Sequence, residues 1–135
     1  MSLELVVVTP EGEALSEVVD QVVLPGEAGD FGVLESHERF LTPLQPGPME
    51  VLSGGSSRWA ALSSGFAEVD GTRVVVLVDS CSMAADIDND AVEEARAAAE
   101  TTLAGLPDND ENAGERARLS ALIARTKVEL DVAGR

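Results

Sequence analysis

The chain changes its grammar once, near Ala84. Before that point valine-rich runs alternate with Gly, Pro and Asp turn chemistry; beyond it the sequence is rich in alanine and charge and holds no aromatic residue. Period-two alternation suits half-buried strands, and the wider apolar spacing of the second half suits helices. Leu3, Leu5 and Val7 alternate with Glu4, Val6 and Val8, and Val18 to Leu24 reads as a second strand. PGPMEVLSGGSSRWAALSS reads as a hairpin turning at Gly54-Gly55, and GFAEVDGTRVVVLVDS as another turning at Asp70-Gly71, where glycine supplies the positive φ of tight turns. Several short strands without intervening helices predict a sandwich or flattened barrel rather than a parallel sheet.

The second half carries helix punctuation. Asp90 with Glu93, and Asn112 with Glu115, have capping-box spacing, with the loop GLPDNDEN between the two helices. The first helix offers Ile87, Ala91, Ala95, Ala98 and Thr102, flanked by Val92, Ala99 and Leu103, and the second Ala117, Ala121, Ala124 and Val128, flanked by Leu122, Ile123 and Leu130. Small residues at this spacing predict an antiparallel helical hairpin with an alanine seam. Such faces bury little area, worth a few kcal/mol in all at about 25 cal/mol per Å². The hairpin is therefore expected to be marginal unless it docks on something.

Charge and thiol content limit the function classes. With 25 acidic against 9 basic residues and a formal net charge of -16, the chain is ill suited to a nucleic-acid backbone, which needs clustered Lys and Arg. The acidity serves solubility, tolerance of salt or a basic partner equally well. The single cysteine, Cys81, cannot form an internal disulfide and reads as a half-buried small residue. The start MSLELVVVTP has no basic n-region or long apolar stretch, and the longest aliphatic run, Val74 to Val78, is too short to span a bilayer. The expectation is a soluble, intracellular chain of one compact domain with an appendage.

The stretch LPGEAGDFGVLESHERFLTPLQPGP has the punctuation of a site. It has glycines at 26, 29 and 32 but no lysine, which excludes a P-loop. His37 stands near Glu35 and Glu38, yet it is the only histidine and no second ligand sits at metal spacing, so it reads as an exposed loop residue. No nucleophile motif accompanies it. DIDND (Asp86 to Asp90) and DNDEN (Asp108 to Asn112) begin like calcium loops, but Ala91 and Ala97, and Ala113 and Leu119, replace the required glycine and glutamate. No metal site and no catalytic residue are expected.

The same loop, followed by SSGFAEVDGTRVVVLVDS and then DIDNDAVEEARAAAE, resembles the epsilon subunit of bacterial F-type ATP synthases over essentially the whole chain and in the family's order. The resemblance implies a β-sandwich of about ten short strands over residues 1–85 and an α-helical hairpin over 86–135. It also implies a non-catalytic rotor subunit at the cytoplasmic face of the membrane. The sandwich would bind the gamma subunit and rest on the c-ring, while the hairpin would reach the alpha/beta head and restrain ATP hydrolysis. By position, Glu27, Asp30, Phe31, His37 and Glu38 match the ring-facing loops, and Arg116, Arg118, Arg125 and Lys127 supply the basic character of the regulatory helix. Some members bind ATP through Ile-Asp, two residues, then Arg-Ala; here Ile87 and Asp88 are kept, Ala91 and Val92 replace Arg-Ala, Arg125 is kept, and a second arginine is Ala121. Without those guanidinium forks, ATP binding is expected to be weak or absent, leaving no cofactor. The alternative reading is a free-standing β-sandwich protein-binding module with a self-associating tail.

Overall fold

The computed structural model describes residues 2–34 and 37–135, and of His37 and Glu38 only the backbone. The strands are β1 (Leu3–Thr9), β2 (Gly12–Val19), β3 (Gln21–Gly26), β4 (Gly29–Leu34), β5 (His37–Leu44), β6 (Gly47–Ser53), β7 (Ser56–Leu62), β8 (Gly65–Gly71), β9 (Arg73–Val78) and β10 (Cys81–Met83). A 3-10 turn at Ala84–Asp86 leads to helices α1 (Asn89–Gly105) and α2 (Ala113–Ala133). The strand order is β10-β7-β6-β3-β5-β8-β9-β1-β2, with β4 paired to β3. Only β1 and β9 run parallel among these pairs. The ten strands fold around one core in which Leu3, Leu5, Val22, Leu24, Met49, Val51, Leu62, Val69 and Val74 are fully or almost fully buried. Alternation along each strand sends these residues inward and their neighbours outward.

Both expected hairpins form, with Gly54 at φ 59° and Gly55 at φ 81° in one, and Gly71 at φ 59° in the other. Val18 to Leu24, however, is not one strand. Val18 pairs with Glu4 on β1, whereas Val22 pairs with Val51 on β6. The chain passes between the two layers at Asp20, whose amide donates to the Leu52 carbonyl (2.9 Å) and whose carboxylate accepts from the Gly54 amide (3.0 Å). An ion pair between Glu17 on β2 and Arg58 on β7 ties the layers together. The GEAGDFG stretch, expected as loop, is mostly strand: β3 and β4 pair from Gln21↔Leu34 to Gly26↔Gly29, turning at Glu27 and Ala28.

The helical hairpin forms, but its seam is turned. On α1 the covered residues are Val92, Arg96, Ala99 and Leu103, while Ala91, Ala95 and Ala98 are exposed. The expected flank of Val92, Ala99 and Leu103, joined by Arg96, is thus the centre of the seam, and the alanine row stands to one side of it. The physical reason is area: Val92 and Leu103 remove more apolar surface from water than the alanines would. On α2, Leu119, Thr126 and Val132 are buried, and the helix packs across the outer face of β6 and β7. The caps also differ from the capping boxes. Asp88 caps α1, its Oδ1 accepting from the amides of Asp90 (3.1 Å) and Ala91 (3.2 Å). Asn109 accepts from the Asn112 amide (3.0 Å) before α2, and Glu115 pairs with Arg118 instead.

Candidate functional site

Three surfaces carry the residues singled out from the sequence. The first is the turn between β3 and β4. Glu27 and Asp30 are exposed there, and the Glu27 amide donates to the Pro43 carbonyl at 3.1 Å. Phe31 is half-buried, meeting Phe40 edge-on with ring centroids 5.5 Å apart and packing against the core. Its ring leaves no room over Gly26, where a Cβ would lie 2.9 Å from the Phe31 ring and 2.6 Å from the Gly29 oxygen. Phe31 therefore locks the hairpin rather than offering a free surface. The strand β5 runs from His37, near Gly71, to Leu44, which pairs with Gly65 and with Gly26 beside the Glu27 turn. The turn and the start of β5 thus lie at opposite ends of that strand. The side chains expected of His37 and Glu38, and the Glu35-Ser36 segment, lie outside the described residues.

The second surface is one that the sequence reading missed. One outer face of the sandwich is covered by α2; the other, formed by β5, β8, β9 and β1, exposes an apolar row. Pro43 pairs with Phe66, Phe66 with Leu77, and Leu77 with Val8, so the four share one face in one line across four strands. Phe66 is 51% and Leu77 45% exposed, and Leu41 beside them is 66% exposed. This row, with Glu27 at its rim, lines an open depression of about 660 Å³. Gly65 fixes the start of β8, since a Cβ there would collide with the Leu77 carbonyl oxygen. The signal was present in RVVVLV, an uninterrupted apolar run: a strand apolar on both faces is one covered on both faces.

The third surface is the base of the helical hairpin, where Ile87, Asp88 and Arg125 come together. They line a cavity of about 460 Å³ with Cys81, Met83, Ala91, Val92, Thr126 and Glu129. Asp88 is engaged as the α1 cap, and the Arg125 Nε lies 3.4 Å from Glu129, whose side chain is only 13% exposed. Asp86, Asp88 and Glu129 thus face this space against one guanidinium that already has a partner. An anionic triphosphate would enter against net negative charge, with no free guanidinium fork to receive it. Burial pushes the Cys81 thiol up to about 11, so it stays protonated near neutral pH and is a poor nucleophile. Among the described residues no group of three or more His, Cys, Asp or Glu is placed to hold a metal ion.

The basic residues of α2 are mostly in use. Arg116 donates to the Leu106 carbonyl (2.8 Å), closing the end of α1, and lies 3.7 Å from Asp108. Arg118 makes a two-pronged pair with Glu115, at 2.6 and 3.0 Å, and the hydrogen bonds from Arg118 lower the Glu115 pKa. Of the four, Lys127 alone forms no ion pair among the described residues. Among the same residues no helix is long and apolar enough to cross a membrane.

Comparison with known proteins agrees with this architecture. Residues 2–84 match the family model of the ATP synthase delta/epsilon chain β-sandwich domain. ATP synthase epsilon chains from Anaeromyxobacter dehalogenans (strain 2CP-C) and Anaeromyxobacter sp. (strain Fw109-5) are 42% and 38% identical to this chain, each over 100% of both proteins. The epsilon chain of Nitratidesulfovibrio vulgaris (strain DP4) is 41% identical over 94% of this chain and 95% of its own. In fold, the chain is similar to a subunit in the Euglena gracilis mitochondrial ATP synthase, with TM-score 0.78, 22% identity, and coverage of 99% of this chain and 82% of that one. It is also similar to one in the central stalk and c-ring of the Tetrahymena thermophila enzyme, with TM-score 0.61, 16% identity, and coverage of 98% and 97%. The strand order, the hairpin and this end-to-end likeness lead to one conclusion: the chain belongs to the ATP synthase epsilon chain family.

Proposed function

We propose that this chain is a non-catalytic central-stalk subunit of an F-type ATP synthase, coupling proton flow through the c-ring to ATP synthesis. The observation that carries this reading is that the likeness to epsilon chains runs through both the sandwich and the hairpin, from end to end. The sandwich, residues 1–85, is the binding half and the hairpin, residues 86–135, the regulatory half. The chain works peripherally, at the cytoplasmic face of the membrane, as part of the assembled enzyme.

The finer assignments follow the chemistry of each surface. The gamma subunit docks on the apolar row Val8, Leu77, Phe66 and Pro43, because that face is unpartnered while the opposite one is covered by α2. Phe66 and Leu77 are the anchors, in keeping with the weight that aromatic and large apolar residues carry at interface centres. Glu27 and Asp30 meet the polar loops of the c-ring, where acidic side chains steer and fix the contact; His37 and Glu38, matched to the ring-facing loops by position, stand at the other end of β5 and are left out of this contact. The hairpin leaves the sandwich to reach the alpha/beta head, where Lys127 and the arginines of α2 exchange internal pairs for acidic partners. The exposed Arg118–Glu115 pair costs about 0–1 kcal/mol to break, so its exchange is easy.

Co-purification of the tagged chain with its matching gamma subunit tests the reading. The nucleotide site is tested separately by titration calorimetry with ATP and Mg²⁺. The expected result is no saturable heat below about 1 mM, a free energy weaker than about -4 kcal/mol. A dissociation constant in the low micromolar range would contradict it.

A further inference from the structure

We propose that Arg135 and Trp59 form a clasp that holds the helical hairpin on the sandwich and sets the fraction of chains in which it is released. The proposal rests on the reading above, in which the hairpin moves. The Arg135 guanidinium carbon stands 4.3 Å from the centroid of the Trp59 ring. Trp59 lies on β7 opposite Glu50, half-buried, on the face that α2 crosses. Arg135 is held in place by its amide, which donates to the Val132 carbonyl at 3.1 Å, and by Asp131, whose Oδ2 accepts from Nη2 at 3.0 Å. One turn earlier Val132 is fully buried. A planar cation over an indole face gains from both electrostatics and stacking, which an ammonium reproduces only in part.

The rest of the contact explains why one clasp matters. Around Arg125 the hairpin does not close on the sandwich: a cavity of about 460 Å³ lies on the β10 side, and another of about 340 Å³ lies against Pro46, Ser63 and Asp79. Empty space contributes no dispersion, so on either side of the buried Thr126 the α2–sandwich contact is thinned. Beyond it, the buried Val132 and the Trp59 contact anchor the end of the helix. Release of that end frees the arm.

The chain supplies its own reporter. Cys81 is the only thiol, half-buried, and it lines an open cavity bordered by Ala91 and Val92 of α1 and Thr126 of α2. Its rate of reaction with 5,5′-dithiobis(2-nitrobenzoate) at pH 8, in the full chain, follows the population of the released form when closing is faster than reaction. Arg135→Ala is expected to speed labelling roughly two- to fivefold. Arg135→Lys should give a smaller rise. In a Trp59→Leu background, Arg135→Ala should add almost nothing, because the partner is already gone. Val132→Asp should exceed any of these.

An unchanged rate in Arg135→Ala would overturn the clasp, as would an equal acceleration by Arg135→Ala with and without Trp59. If Val132→Asp leaves the rate unchanged, freeing that end of α2 does not release the hairpin, and a clasp at that end falls with it. Gamma binding by Arg135→Ala should stay as in the parent chain. Failure of the parent chain to bind gamma would instead contradict the rotor reading and leave the labelling result standing.

Discussion

Replacing Phe66 and Leu77 together by aspartate is expected to weaken binding to the matching gamma subunit by at least about a hundredfold, at about 1.4 kcal/mol per factor of ten. The two side chains are cross-strand neighbours on adjacent strands and stand half out of the sandwich, so they are accessible without rearrangement. Truncation of one anchor at an interface centre commonly costs about 2 kcal/mol or more, roughly thirtyfold, so the loss of two exceeds a hundredfold. Placing two unpaired carboxylates in the same apolar contact adds a desolvation penalty to the lost packing. The fold should survive, because outward positions at this exposure do not contribute to the buried cluster around Val69 and Val76. Calorimetric titration against gamma reads the affinity, and the far-ultraviolet dichroism of the variant checks the sandwich. A double variant that binds gamma as the parent does would remove the apolar row from the interface.

The second large effect concerns the hairpin. Ending the chain after Asp86 is expected to raise ATP hydrolysis by the assembled enzyme about fivefold or more, the lower range of an allosteric coupling of 1–3 kcal/mol. Gamma affinity should change little, because the apolar row is contributed by β1, β5, β8 and β9. The structure gives a reason for the hairpin to be a separable element. Its own buried set is small: Ala99 on α1, and Leu119, Thr126 and Val132 on α2. Two packed states separated by a few kcal/mol are what such an interface allows. Unchanged hydrolysis after truncation would sink the regulatory half of the proposed function and leave the stalk reading to its own test.

Much of this architecture was legible in the residues, and the places where it was not have physical causes. The hairpins at Gly54-Gly55 and Asp70-Gly71 were readable because turn chemistry is local: the glycines reach positive φ there at no steric cost. The crossing at Asp20 was not, because Val18 and Val22 look alike in sequence and differ only in which layer receives them. The β3–β4 strands were hidden by glycines and a proline, which read as breakers. Gly26 is in fact required by the approach of Phe31 and the Gly29 carbonyl, a contact that is tertiary. The centre of the α1 face was placed on the alanine row rather than on its flank of Val92, Ala99 and Leu103 for a related reason. Alanine spacing is visible along the sequence, but the area each face removes from water depends on what it meets. The caps show the same limit, since Asp88 and Asn109 compete locally with Asp90 and Asn112, and only the backbone conformation decides between them.

Of the candidate sites, the departures from the nucleotide motif are residue types at fixed offsets and so visible in the sequence: Ala91, Val92 and Ala121 carry no guanidinium. What the structure adds is that Arg125 already faces Glu129, so the remaining arginine is also committed. The apolar row was readable only in part: the run Val74 to Val78 is apolar on both faces, but its partners are not marked. Val8, Pro43, Phe66 and Leu77 lie far apart along the chain, and only strand register aligns them.

Whether this chain is a stalk subunit held by gamma is decided by titrating the purified full-length chain with the matching gamma subunit assembled with its alpha and beta partners. Saturable one-to-one binding is expected, with a dissociation constant at or below about 1 µM, equivalent to about -8 kcal/mol or stronger. The bound chain should also alter the ATPase rate only when the hairpin is present. Absence of saturable binding to that assembly would contradict the stalk reading.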